Sequence, residues 1–154
     1  VGAYHFARPD KATNDAVREA NHFVDNAALT GQNLLPVLDL EVSGGLAPKR
    51  LRHWAKDWLS RVEERLGVKS IIYTSPSFWR DKMGDKTWFA DNGYRLWIAH
   101  WGADQPRVPA QHWGGLGWTV WQYSECGSVA GIDGCVDRDH LAGTIAALRI
   151  KNNR

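Results

Sequence analysis

A length of 154 residues bounds the chain to one compact domain. With 44% hydrophobic and 23% charged residues the composition is that of a globular protein and excludes wholesale disorder. No apolar run approaches the roughly 20 residues of a membrane-spanning helix, and nineteen Lys and Arg against seventeen Asp and Glu leave only +2, with no basic block to engage nucleic acid. Nine Trp against one Met is the unusual count. Trp buries a large flat surface and serves both cores and stacking ligands, sugars among them.

In chain order, Val1 to Ala7 is a short apolar and aromatic run ending at Arg8-Pro9, which reads as a buried strand. From Asn14 to Leu29 the apolar residues Val17, Ala20, Phe23, Val24 and Ala27 recur at helical spacing, and Gly31 closes the segment. Leu34 to Glu41 is a second strand, with Pro36 confined to an edge or strand-end position because it has no N–H to donate. Pro48 to Leu66 is a helix with Leu51, Trp54, Trp58, Val62 and Leu66 on one face, stopped by Gly67. Lys69 to Thr74 is a third strand, and Ser75-Pro76 opens a short helix through Met83. Arg95 to Trp101 and Trp118 to Tyr123 read as the fourth and fifth strands, Cys135 to Asp137 as a short sixth, and Leu141 to Ile150 as a last helix. Strands alternating with helices predict a parallel sheet or barrel, and so an α/β fold.

In such folds reactive groups gather at the C-terminal ends of the strands. Those ends carry Asp39 and Glu41, Tyr73 and Thr74, His100 and Trp101, Gln122 and Tyr123, and Asp137. Asp39 and Glu41 are two apart on a strand, so their side chains share a face. Two adjacent carboxylates resist joint ionisation, which holds one proton nearer neutral pH, as a general acid requires. A glycosidic-bond hydrolase needs such an acid and commonly a second carboxylate. The competing reading has Asp39 and Glu41 capping the next helix or meeting Arg50 or Arg52, and Asp137 capping the last helix. His5 and His100 read as hydrogen-bonded lining, and Trp54 and Trp58 as core. Of Trp97, Trp101 and Trp121, only some can face a cleft.

Cys126 and Cys135 lie in one Gly-rich stretch, CGSVAGIDGC. A bridge across so short a loop removes about 2.5–3 kcal/mol of unfolded-state entropy in the chain-entropy model and fits an oxidising compartment. Two free thiols are the alternative, whereas a zinc site lacks ligands because no suitably spaced His pair accompanies the cysteines. The start VGAYHFARPD carries neither an initiator Met nor a signal peptide, and the reading expects a sequence that begins partway through a longer product.

The ordered motifs VGAYHFARP, LLPVLDLE, IIYTSPSFW, LWIAHW, WTVWQYS and GIDGCVDRD together resemble the family 25 glycoside hydrolases, the Chalaropsis-type lysozymes or muramidases of bacteria, fungi and phages. The resemblance runs from Val1 to about Leu148. It implies cleavage of the β-1,4 bond between N-acetylmuramic acid and N-acetylglucosamine in bacterial cell-wall peptidoglycan, without metal or cofactor, by a protein secreted or delivered by a phage to the wall. By the same resemblance Glu41 is the general acid, Asp39 its strand partner and Asp137 a carboxylate at the end of the final strand, while Tyr4, Tyr73, Trp101 and Gln122 line the cleft. Two mechanisms stay open. In one, Asp39 orients the substrate's 2-acetamido group as internal nucleophile; in the other, Asp137 or an Asp on an upstream strand activates a water.

The family's opening G-[IV]-D-V-S strand is not among these residues, and about 250 residues are typical of a complete (β/α)₈ barrel. The expectation is therefore an incomplete TIM-like (β/α) barrel with a mostly parallel sheet: a single domain over residues 1–154, N-terminally truncated relative to the family, with exposed apolar surface near Val1, Tyr4 and Phe6. A non-catalytic glycan-binding remnant is the alternative function. A chitin hydrolase is a third possibility, against which the YHFARP and WQYS motifs argue.

Overall fold

The computed structural model describes residues 1–151, so the last three residues of the expected 1–154 domain lie outside the described residues. Six strands form one sheet in sequence order: β1 (Tyr4–Phe6), β2 (Val37–Asp39), β3 (Ile71–Thr74), β4 (Arg95–Ala99), β5 (Val120–Val129) and β6 (Ile132–Leu141). The first five pair in parallel and β6 returns antiparallel to β5. The result is a mostly parallel, curled half-barrel. Helices α1 (Asp15–Ala27), α2 (Pro48–Leu66), α3 (Pro76–Met83) and α4 (Trp88–Asp91) form the crossovers that parallel strands require.

Period-two alternation sorts each strand between two cores. Leu38, Leu40, Ile72, Leu96 and Ile98 face the helices and pack with Ala20, Phe23, Leu51, Trp58, Leu59 and Val62. Each such large apolar side chain contributes about 1.5–3 kcal/mol when fully buried. Trp54 and Trp58 are core, as their helical spacing predicts, and His5 stacks on Trp58 at 5.4 Å while bonding Glu19 at 2.6 Å. α2 has the predicted bounds, with Pro48 in its first turn and Gly67 ending it at φ 68, where a left-handed residue costs glycine nothing. The opposite sheet face holds a smaller apolar cluster of Val37, Ile71, Val120 and Leu148, with Tyr73, Trp97 and Leu141 packed beside it.

Three expectations at the C-terminus are corrected. The fifth strand does not end at Tyr123 but runs from Val120 to Val129, because it continues into a hairpin. The sixth strand is not the three-residue piece Cys135–Asp137 but a ten-residue strand in a hairpin with β5. Only Ala130 and Gly131 separate the two strands, and a two-residue link can join only antiparallel neighbours. The expected helix over Leu141–Ile150 is absent: β6 runs to Leu141, Gly143 turns at φ 111, and one 3-10 turn covers Ile145–Leu148. There Leu148 is drawn into the inner cluster, and Arg149 bridges to Leu34.

Two short elements carry no sequence expectation. One is α4; the other is a turn over Pro109–Gly114 in which Ala110 to Trp113 all take left-handed dihedrals, φ 52 to 57. Such residues cost about 1–2 kcal/mol each. Full burial of Ala110 and near-full burial of Trp113 offset that, together with hydrogen bonds from Ala110 N–H to Asp85 Oδ1 (2.6 Å) and from Trp113 Nε1–H to the Tyr94 carbonyl (2.8 Å). The strands β1 and β6 each have one partner within the sheet. The run from Val1 to Ala7, read as a buried strand, is instead the three-residue edge strand β1, none of whose residues is fully buried. Val1 and Tyr4 are exposed, as the open side of an incomplete barrel predicts, and Phe6 is half-buried, with the Arg8 guanidinium 4.8 Å from its ring centre.

Candidate active site at the strand ends

Register brings the inward-facing residues into rows. Phe6, Asp39, Tyr73, Trp97, Val120 and Leu141 are successive partners across the six strands. The next row toward the strand ends is Ala99, Gln122 and Asp139. Tyr4 belongs to the row below, beside Val37, and lines an apolar cavity of about 340 Å³ with Ile71, Trp97 and Leu148 rather than the cleft at Glu41. The other six candidates gather at the rim.

Asp39 closes an apolar strand and is buried to 9% exposure, with its Oδ1 bonded to no protein atom. Burial raises its pKa to about 7, and the charge of Glu41 adds to the rise. Glu41 lies two residues on, beyond the fully buried Leu40. Its carboxyl opens to solvent at the rim, and partial desolvation there raises its pKa. The ordering differs from the sequence argument, in which neighbouring charge was the cause. Burial dominates here, and Asp39 is the carboxyl held near neutrality. The loop after Glu41 is folded back tightly: Gly44, at φ 55, lies so close to the Pro9 carbonyl that a Cβ there would overlap it.

Tyr73 ties the rim together. Burial raises its hydroxyl pKa, followed by the negative charges of Glu41, Asp39 and Asp137. Carboxyls from the end of β2 and from β6 therefore act on one phenol. The Tyr73 hydroxyl donates to Gln122 Oε1 at 2.9 Å, and the Trp101 indole N–H donates to the same oxygen at 2.9 Å. Gln122 is buried to 4% exposure, so its carbonyl fixes both aromatic rings from below, leaving Trp101 45% exposed. Asp137 lies within β6 and precedes no helix, which removes the capping alternative. Nor do Arg50 or Arg52 pair with Asp39 or Glu41: the Arg52 guanidinium binds the Met83 carbonyl and Arg50 lines a separate cleft.

Sequence reasoning passed over Asp139. It shares a face with Asp137 by strand alternation, stands opposite Gln122, and accepts the Trp97 indole N–H at 2.7 Å. Partial desolvation raises its pKa against the lowering effect of the Trp97 bond, and the charge of Asp137 adds to the rise. The D-x-D spacing in VDRD was the signal, equivalent to the D-x-E already noted in β2. Arg107 was passed over as well. Its backbone N–H donates to His100 Nδ1 at 3.0 Å, so that ring is hydrogen-bonded lining, as expected. Of the three tryptophans left open, Trp97 faces the inner side, Trp101 the cleft, and Trp121 the helix-side core. Beside Glu41 a cleft of about 450 Å³ is lined also by Ser75, Ser77, Arg80, His100, Trp101 and Arg107.

A mostly parallel sheet curled as a half-barrel, with carboxylates and aromatic faces at its C-terminal rim, defines a scaffold of the barrel-type glycoside hydrolases. The chain belongs to glycosyl hydrolases family 25, whose family model matches residues 1–132. It is 37% identical over 156 residues to Lysozyme M1 of Streptomyces globisporus, an overlap covering 96% of this chain and 51% of that protein. The crystal structure of the bacterial lysozyme from Streptomyces coelicolor superposes with a TM-score of 0.85 at 35% identity, over 96% of this chain and 69% of that one. A family GH25 lysozyme from Aspergillus fumigatus gives a TM-score of 0.81 at 26% identity, over 98% and 73%. The chain thus spans about half the length of the curated relatives it matches.

Proposed function

We propose that this domain is the catalytic part of a muramidase, hydrolysing the β-1,4 bond between N-acetylmuramic acid and N-acetylglucosamine in bacterial peptidoglycan. The observation that carries the reading is the register that sets Asp39 beside Tyr73 at the strand ends, with Glu41 two residues on and the Tyr73 hydroxyl sharing the Gln122 side-chain oxygen with an exposed Trp101. Glu41, open to the cleft and raised in pKa, is the general acid that protonates the leaving oxygen. Asp39 is suited to the acetamido-assisted route. A buried carboxyl oxygen without a protein partner calls for one, and a substrate amide N–H supplies it. Tyr73, Gln122 and Trp101 form the hydrogen-bonded wall against which the sugar rests. The site of action is the bacterial wall outside the cytoplasm, a setting the Cys126–Cys135 disulfide supports.

A second reading is glycan binding without turnover, favoured by the single partners of β1 and β6, which leave the site walled by six strands. Grafted in place of the matching part of the longer Streptomyces coelicolor chain, the domain should release reducing ends from cell walls. Glu41→Gln in that graft should lower turnover by roughly 10²–10⁴-fold with wall binding retained. Binding with no reducing ends released, by graft and chain alike, would establish the second reading. Near-normal lysis by Glu41→Gln would remove Glu41 from the role of acid.

A further inference from the structure

The cleft beside Glu41 combines three kinds of surface. Trp101 offers an exposed ring, Ser75 and Ser77 offer hydroxyls, and Arg80, Arg107 and His100 line the remaining wall. The two arginines differ. Arg80 is occupied by Asp81, with Nε and Nη2 at 2.7 and 3.0 Å from its two carboxylate oxygens. The Arg107 guanidinium has neither carboxylate nor carbonyl partner among the described residues. Its backbone is nonetheless held: the N–H is bonded to His100 Nδ1, which fixes the imidazole tautomer with its proton on Nε2 and starts the arginine stem at the cleft wall. An unoccupied guanidinium, a ring donor and a stacking face within one cavity match a sugar ring that carries negative charge, and a neutral ring leaves the cation unused.

We propose that Arg107 makes this cleft a charge-reading subsite, binding a carboxylate borne by a substituent of the sugar ring while Trp101 holds the ring itself. The inference rests on the glycan reading above and extends it. The chemical class is a muramoyl-type glycan whose lactyl ether, or the acidic peptide joined to it, supplies the carboxylate. Glycans made only of neutral acetamido sugars lack that group. Arg107 acts as a specificity-determining residue and takes no part in bond breaking.

The test uses the Glu41→Gln chain, which binds without cleaving, titrated by calorimetry with four ligands. These are a neutral N-acetylglucosamine tetramer, a muramoyl disaccharide with a free lactyl carboxylate, its peptide-bearing form with free carboxylates, and that form fully amidated. At low salt at least one carboxylate-bearing ligand should bind roughly fivefold tighter than both the tetramer and the amidated form, the worth of one solvent-exposed charge pair. The two charged ligands separate the lactyl source from the peptide source. The preference should shrink in high salt, fall to within about twofold in a second variant with Arg107→Gln added, survive in large part with Arg107→Lys, and be unaffected by Arg50→Gln, which lies in a separate cleft. Equal affinity for charged and neutral ligands, or a preference undiminished by Arg107→Gln, would overturn the proposal and leave the glycan reading intact. Failure to bind any of the four would overturn both.

Discussion

Asp39 ends a strand whose other two residues, Val37 and Leu38, are buried and apolar, and that setting governs its titration. In the folded chain it keeps its proton up to about pH 7, whereas its ordinary value is 3.8. A carboxyl whose folded pKa is raised binds more protons folded than unfolded, so stability declines as pH climbs between those two values. The loss has a ceiling of roughly 4 kcal/mol, since each pKa unit corresponds to about 1.36 kcal/mol. Asp39→Asn should therefore match the parent chain in stability near pH 4 and exceed it at pH 8. Urea midpoints at the two pH values measure the difference, and parallel pH profiles for the two chains would contradict a buried, protonated Asp39. Asn keeps the side chain's size, so the comparison isolates the charge.

At the scale of elements, the β5–β6 hairpin stands out because most of its outer residues, from Glu125 through His140, are exposed. It gains little from burial and depends on its ladder and on the disulfide joining Cys126 to Cys135. Register shifts interrupt that ladder at Ser124 and Gly127, where a bulge leaves backbone groups unpaired. Such a segment opens locally, without global unfolding. Replacing both cysteines with Ser should raise amide exchange from Ser124 to Val136 by about 100-fold, the equivalent of the loop entropy that the bridge removes. Exchange in α2 should hardly change. Intact mass with and without reductant, followed by alkylation, checks the bridge itself, and protection of the hairpin unchanged in the double Ser variant would show that the ladder alone suffices. Asp137 and Asp139 sit on the same strand, so loosening the hairpin also loosens two of the rim carboxyls.

Among the described residues the sheet is a half-barrel in which β1 and β6 each pair on one side, and the apolar cavity on its inner face opens beside the β1 edge. Tyr4, 68% exposed, stands at that mouth with Val37, Ile71 and Leu148 behind it. An unpaired edge next to exposed apolar surface favours association between copies. Sedimentation velocity should therefore show the isolated chain associating as concentration rises, and Tyr4→Lys should shift it toward monomer, because a charge at an edge opposes pairing. Monomer at every concentration in the parent chain would show that the edges are protected some other way. The helix-side core, with Trp58, Trp79 and Trp113 almost fully enclosed, is indifferent to this substitution.

The periodicity of apolar residues located α1 and α2, Ser75-Pro76 opened α3, and apolar runs located the first five strands, because each element buries one face and the side-chain repeat of helix and strand differs. β1 and β2 are nonetheless shorter than their runs, and β5 extends past Tyr123 to Val129. Clustering of Asp39, Glu41, Tyr73, Trp101 and Gln122 was equally legible, since a parallel sheet with helical crossovers must bring its strand ends to one rim. Tertiary structure alone decided the rest. The hairpin arose where a Gly- and Ser-rich stretch with weak strand propensity folded back across Ala130 and Gly131, so that Gly127 faces Val136 and Val120 faces Leu141. The left-handed turn at Ala110–Trp113 exists because burial of Trp113 outweighs local strain. Asp139 joined the rim, and Tyr4 the row below it, through register between strands distant in sequence. The proton near neutrality went to Asp39 rather than Glu41 because desolvation, which depends on everything packed around a group, outweighs the charge of one neighbour.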